Sequence, residues 1–219
     1  KTFKRMKMTE EKCIFCNYEL MRGDILWESE NFFVKVGVGI LGPGHIMIVT
    51  KKHITCFAEL PKQLRKEFML LKKDVFKRIK SNFSEPIIYE HGVYSQSIKH
   101  AHIHFVPIRN KLYNLENLKK NISNDIKTRK ANNIFNVESI FNEEGSYFYL
   151  EENGQKWIFH TKGLPKGKFN FRKEFARLTG LHGLADWQNM PEEERQRNKE
   201  WVNRTKEVLK NANFQFSYI

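Results

Sequence analysis

Three histidines stand at alternate positions in His100-Ala101-His102-Ile103-His104-Phe105-Val106-Pro107. Successive side chains of a strand point to opposite faces, so His100, His102 and His104 project from one face at steps of about 6.6 Å. Ala101, Ile103 and Phe105 then enter a core. Three cationic rings side by side repel one another, so a folded chain holds some of them neutral and offers others to phosphate or metal.

A second histidine-bearing stretch lies upstream, Gly42-Pro43-Gly44-His45-Ile46-Met47-Ile48-Val49-Thr50-Lys51-Lys52-His53. Gly42-Pro43-Gly44 lacks the Lys-Ser/Thr and the following helix of a phosphate loop, and reads as the turn entering the His45 strand. Together the two stretches carry a resemblance. His-φ-His-φ-His-φ-φ, with φ apolar, is the pattern of the histidine-triad (HIT) family of nucleotide hydrolases and transferases, and the chain resembles it from His100 to Val106. The His45 strand with its Lys51-Lys52-His53 end is similar to another strand of the same proteins. The resemblance covers roughly Cys13 to Arg109.

Opening a phosphoric anhydride or phosphoramidate at a nucleotide α-phosphate needs an in-line nucleophile, stabilisation of the equatorial oxygens and an acid for the leaving group. Histidine supplies all three near neutral pH, and no metal is required. The resemblance implies that His102 attacks and carries a nucleotidyl group, which water or another acceptor removes. It implies further that His104 binds phosphate, that His100 orients its neighbours or binds zinc, and that His45 fixes the tautomer of a triad ring. Gln96 and Ser97 match a Gln/Ser pair that contacts the phosphate or leaving group. Ile25, Trp27, Phe32 and Phe33 match positions that hold base and ribose.

Cys13-Ile14-Phe15-Cys16 places two thiols within reach of one tetrahedral ion. A redox dithiol and two unmetallated buried thiols are the other readings. No thioredoxin-like strand-to-helix context surrounds the pair, which favours metal. In relatives with this start the resemblance implies a structural zinc completed by His53 and His100. Cys56 reads as a packed small hydrophobe. An odd count of three cysteines has no disulfide framework and suggests a reducing compartment, and the basic Lys1–Met8 segment lacks an apolar signal core. No apolar run approaches the ~20 residues of a membrane span, so a cytoplasmic protein without membrane partners is expected.

Lys+Arg 38 against Asp+Glu 25 leaves +13, with a pI near 9.6. That field draws in anions, whether a nucleotide, a nucleotidylated small molecule or nucleic acid. A general surface excess of lysine is the plainer account. Hydrophobic residues at 40 % suffice for a sizeable core, and 18 phenylalanines predict aromatic packing.

Short apolar runs Ile25–Glu28, Phe32–Val36 and His45–Val49, divided by glycines and polar pairs, predict an antiparallel meander. Leu64, Phe68, Leu71, Val75 and Ile79 mark the buried side of a helix opened by Pro61. Its other side, Lys62, Arg65, Lys66, Lys72, Lys73, Lys77 and Arg78, is either a solvated face or a nucleic-acid stripe. Pro86–Gly92 predicts a central strand that turns and returns as the triad strand, with Glu90, His91, Gln96 and Ser97 near the imidazoles.

The fold class expected is α+β: a HIT-like antiparallel sheet with flanking helices over residues 1–110, and a C-terminal α+β extension over 111–219. In that extension Leu115, Leu118, Ile122 and Ile126 predict a connecting helix within 112–133. Asn153-Gly154 between apolar runs predicts a hairpin. Phe171 to Thr179, stopped by Gly180, and a stretch that Met190-Pro191-Glu192-Glu193-Glu194 starts, with proline and acid in its first turn, and that ends near Lys210 predict two helices. This half resembles the tail of CwfJ-like relatives: a hairpin, a Phe171-Arg172-Lys173 helix, Asp186-Trp187, then a helix. Arg172 can reach back to a bound phosphate or stay a surface arginine. Joined sheets in many relatives imply a homodimer, unless the extension occupies that surface. The functional expectation is a nucleotidyl hydrolase or transferase, with a nucleic-acid-associated CwfJ-like factor or a remover of nucleotide caps from nucleic-acid ends as the alternative.

Overall fold

The computed structural model describes residues 13–107, 126–165 and 169–211. Eight strands form one antiparallel sheet: β1 Ile25–Glu28, β2 Phe32–Val36, β3 Ile46–Thr50, β4 Pro86–Glu90, β5 His102–Pro107, β6 Thr128–Lys130, β7 Tyr147–Glu152 and β8 Gln155–His160. Their order across the sheet is β1-β2-β3-β5-β4-β7-β8-β6. The helices are α1 Tyr18–Met21, α2 Arg65–Asn82, α3 Val137–Glu144, α4 Phe171–Thr179 and α5 Glu192–Asn211. The α+β architecture read from the sequence is the one observed. No helix among the described residues is long and apolar enough to cross a membrane.

Register divides the side chains between two faces. Lys35, Met47, His104, Tyr89 and Leu150 are lateral neighbours on β2, β3, β5, β4 and β7, so they share one face. Phe33, Val49 and His102 share it as well. Ile46, Ile48, Ile88, Ile103 and Phe105 take the other face, packed with Phe68, Leu71, Val75 and Ile79 of α2. Of the basic residues expected on the outer side of α2, Lys72 is instead buried and paired with Glu151 of β7, which lies on that same sheet face. Arg65 pairs with Glu138 of α3 and Arg78 with Asp74.

The same parity moves Glu90 away from the imidazoles. It is paired with Tyr149 and faces the α2 side, where its carboxylate accepts from the Phe57 N–H at 2.7 Å and the Tyr147 hydroxyl at 2.6 Å. Gly92 follows with φ +51°, and a Cβ there would lie 2.5 Å from the Tyr147 ring, so the turn accepts glycine alone.

Residues on both sides of position 110 build the one sheet, because β7 pairs with the outer edge of β4. Asn153 and Gly154, both at positive φ, make the β7–β8 hairpin turn expected of Asn-Gly. The helix expected over 112–133 falls mostly outside the described residues. Its last part, Thr128–Lys130, is β6, because pairing with β8 outweighs the weak helical spacing. Phe148, Phe169, Phe171 and Phe175 form a second core with Ile87, Tyr89 and Val106 on the histidine face. Helix α5 is bolted to the β2–β3 connection by Asn198, which bonds both Ile40 N and Ile40 O, and by Thr205, which accepts from Gly44 N.

Burial pushes the Glu90 carboxyl up to about 7. Between an unfolded value of about 4.3 and that value, the folded chain holds a proton the unfolded chain has released, so stability falls as pH rises through this window. Glu90→Gln is expected to flatten the fall when thermal unfolding is followed against pH; an unchanged slope would assign the titration elsewhere. Glu152, also raised to about 7 by burial, leaves a smaller slope of the same sign in the mutant.

Candidate active site

Strand β5 begins at His102, and the residue pair before it is held by the Ala101 N–H to Ile54 O (2.7 Å) and the Thr50 N–H to Ala101 O (3.2 Å). The histidine row therefore divides. His100 turns to Cys13, Cys16 and His53, whereas the His102 and His104 rings lie 4.9 Å apart over a cavity of about 240 Å³. Phe15 stands edge-on to both His100 and His102, at 5.7 and 5.2 Å.

Hydrogen bonds assign the tautomers. The Leu41 N–H donates to His45 Nδ1 at 2.9 Å, so neutral His45 carries its proton on Nε2 and donates to His104 Nδ1 at 3.0 Å. His104 consequently keeps its own proton on Nε2. His102 Nδ1–H donates to the His100 carbonyl at 2.6 Å, which leaves Nε2 with an open lone pair. His100 Nε2–H donates to Thr50 O at 2.6 Å, so its Nδ1 lone pair faces the thiols. Burial pushes His102 and His100 down to about 4 and His45 to about 3, and lowers His104 well below the ordinary imidazole range. Lys35 adds to the lowering at His102 and His45; it is itself buried, donates to Val36 O and is pushed down to about 8 by burial.

Of the residues singled out in the sequence, His45, His102, His104, Ser97 and Arg172 line the cavity. Gln96 does not. Its amide donates to Thr55 O and His100 O, which holds the loop before the triad strand. His91 lines the cavity and donates from Nδ1 to Tyr94 O. Ile25, Trp27, Phe32 and Phe33 are not part of the lining: Phe32 faces α2, and Phe33 packs under Cys13, Phe15 and Met21. The apolar lining comes instead from Phe15, Val38, Met47, Ile98 and Trp187.

The far wall comes from residues 170–173 and 185–188. Arg172 Nη1 donates to Gly39 O, and its Nε and Nη2 are buried with no hydrogen-bond partner among the described residues. Gly39 has φ +65°, and a Cβ there would lie 2.5 Å from Trp187 Cβ, so glycine is what lets this wall close on the β2–β3 connection. Tyr89 was overlooked in the sequence. It lies parallel to His104, ring centroids 4.3 Å apart and planes 8° from coincidence, and against Phe171 at 4.0 Å. The signal that finds it is register: Tyr89 is directly opposite His104.

Behind the cavity, the ligand atoms of Cys13, Cys16, His53 and His100 all lie within 4.8 Å of one another. The sulfur-to-nitrogen separations of 3.1 to 3.5 Å match the edge of about 3.5 Å that a tetrahedral zinc with its usual bond lengths sets. The donor set fits a metal.

Residues 1–121 match the family described as protein similar to CwfJ C-terminal. The chain belongs to this family. The match lies on the half that carries the histidines, whereas the CwfJ-like features read from the sequence lay in residues 111–219. Among curated proteins, this CwfJ C-terminal-like chain is 28 % identical over 106 residues to "Protein hit" of Bacillus subtilis, covering 44 % of this chain and 71 % of that one. Similar solved structures include a HIT family hydrolase from Clostridium thermocellum, 23 % identical with TM-score 0.41, covering 49 % of this chain and 99 % of that one. A zinc-bound histidine triad family protein from Mycobacterium smegmatis is 20 % identical with TM-score 0.40, covering 47 % and 79 %.

The tautomers are open to measurement. Long-range proton–nitrogen NMR at neutral pH is expected to show His102 protonated on Nδ1 alone and His104 on Nε2 alone. Both are expected to stay neutral as pH falls through about 6.5, with His102 titrating only near 4. Protonation of His102 Nε2 at neutral pH would overturn the assignment.

Proposed function

We propose that this protein is a nucleotide hydrolase or transferase that cleaves at a nucleotide α-phosphate through a covalent nucleotidyl-histidine on His102. The observation that carries the reading is the direction of the hydrogen bonds: the His100 carbonyl holds the His102 proton on Nδ1, so Nε2 meets the cavity as a neutral nucleophile. Its lone pair forms the bond to phosphorus, and the bond to the leaving group breaks with its electron pair on the departing atom. His104, protonated on Nε2 through His45, donates to a phosphate oxygen. Arg172 brings two unpaired N–H groups to the same anion, with Ser97 at the rim, and Gln96 supports the site through the loop rather than through substrate. His100 acts twice, as a metal ligand through Nδ1 and as the acceptor that orients His102.

In this reading Cys13, Cys16, His53 and His100 hold a structural zinc, which ties the N-terminal turn to the triad strand and takes no part in the chemistry. Metal analysis is expected to find about one equivalent of zinc per chain. Cys13→Ser and Cys16→Ser are expected to lose it and to unfold at lower temperature. Zinc below about a tenth of an equivalent in wild type, with both thiols freely alkylated, would remove the site.

The deciding experiment is hydrolysis of an adenosine phosphoramidate, diadenosine tetraphosphate and a 5′-adenylylated oligonucleotide by wild type and His102→Ala. Loss on the order of a thousandfold or more is expected in the mutant. The second reading, a nucleic-acid-associated factor, is favoured by Lys66, Lys73 and Lys77, which stay exposed along α2, by Lys62 exposed in the turn before it, and by the +13 charge. A well-folded wild type that turns over none of the three, yet binds RNA with an affinity falling steeply with salt, would replace the first reading by the second. We assign residues 1–110 to the triad domain and 111–219 to an extension that completes its cavity.

A further inference from the structure

We infer that the Tyr89 hydroxyl is a further catalytic group of this site, donating a hydrogen bond to a non-bridging oxygen of the phosphate that His102 attacks. The inference rests on the phosphate-transfer reading above and adds a residue that reading does not contain.

Tyr89 is 98 % buried, at 2 % exposure, and lines the cavity. Its ring is fully used: it lies flat on His104 on one side and on Phe171 on the other, and stands edge-on to His91 at 5.6 Å. Its hydroxyl has no hydrogen-bond partner among the described residues. A buried phenol normally finds a partner, because an unpaired hydroxyl in an apolar setting costs about 1–3 kcal/mol. The buried tyrosines of the neighbouring strand follow the rule: Tyr147 donates to Glu90 at 2.6 Å and Tyr149 to Glu151 at 3.1 Å. The Tyr89 hydroxyl, which is not among the sealed unpartnered polar atoms, belongs to a side chain bordering the cavity, where a ligand atom can supply the partner that the described residues do not.

The neighbours say what that atom is. His104 offers Nε2–H, Arg172 has Nε and Nη2 unpartnered, and His102 offers a lone pair along the same cavity. Beside the His102 and His91 lone pairs and the Asp186 carboxylate, the cavity sets the His104 and Arg172 donors near Tyr89, and three such donors suit the oxygens of a phosphate. Burial raises the Tyr89 hydroxyl above the ordinary phenol range, so it stays protonated and its proton remains on Tyr89 throughout the step. The rigid stack against Phe171 and His104 holds it in place before phosphate arrives, so no reorientation accompanies the transfer.

Tyr89→Phe removes the oxygen and keeps the stacked ring, so the fold and the His104 tautomer persist. With the best substrate of the panel, kcat/KM is expected to fall by about a hundredfold, shared between a lower kcat and a higher KM. Replacing one non-bridging α-oxygen by sulfur distinguishes contact from support. Wild type is expected to prefer one phosphorothioate diastereomer, and Tyr89→Phe to lose most of that preference. Unchanged kcat/KM, or a reduced kcat/KM with the preference intact, would overturn the inference while leaving the proposed function standing. Should wild type turn over no substrate, the reading of function fails separately, and calorimetry with adenosine 5′-monophosphate then decides Tyr89. Weaker binding in Tyr89→Phe by about tenfold supports contact with phosphate, and equal affinity overturns it.

Discussion

Much of this site depends on one residue used three ways. The His100 ring gives its Nε2 proton to Thr50 O, which turns Nδ1 toward Cys13 and Cys16, and its main-chain carbonyl accepts from both His102 Nδ1 and Gln96 Nε2. The ring is committed to the cysteine cluster and the carbonyl to the cavity. A displacement of His100 would therefore disturb both at once, because the His102 tautomer and the N-terminal turn hang from the ring and carbonyl of one residue. Phe15, between the two cysteines in sequence and edge-on to both His100 and His102, makes the same link through packing.

Burial supplies the second constraint. Five imidazoles, His45, His91, His100, His102 and His104, are held neutral chiefly because the charged ring loses its hydration inside the protein. Neutrality allows the rings to sit within contact of one another and to exchange directional hydrogen bonds instead of repelling. The permanent positive charge beside these neutral rings is that of Arg172, on an element distant in sequence, whose guanidinium is anchored by Gly39 O and only partly satisfied.

The C-terminal half extends the sheet and also walls the cavity. Strand β7 takes the free edge of β4, and Tyr147 of β7 satisfies the buried Glu90 on the α2 face. On the opposite face Phe171 extends the stack that runs through Tyr89 to His104. The cavity is thus closed by a helix start and a loop, held to the sheet by the Phe171 stack and to the β2–β3 connection by the Arg172 bond to Gly39 O.

The sequence alone determined the strand character of the triad, the meander before it, the apolar side of α2 and the Asn153-Gly154 turn, and with the family resemblance it named the four residues whose sulfur and nitrogen atoms cluster. These follow from side-chain period, turn chemistry and motif, which are local or shared with relatives. Only tertiary structure decided that His100 leaves the row, that Glu90 and Lys72 are buried on the α2 face, that Gln96 bonds backbone, and that Trp187 rather than Trp27 lines the cavity. It alone also brought Arg172 and Tyr89 to one corner. Those outcomes depend on register and on contacts between segments far apart in the chain, such as Gly39 with Arg172 and Tyr89 with Phe171. A one-residue change of register exchanges the faces of a strand, and periodicity along a single segment cannot say which face its partner offers.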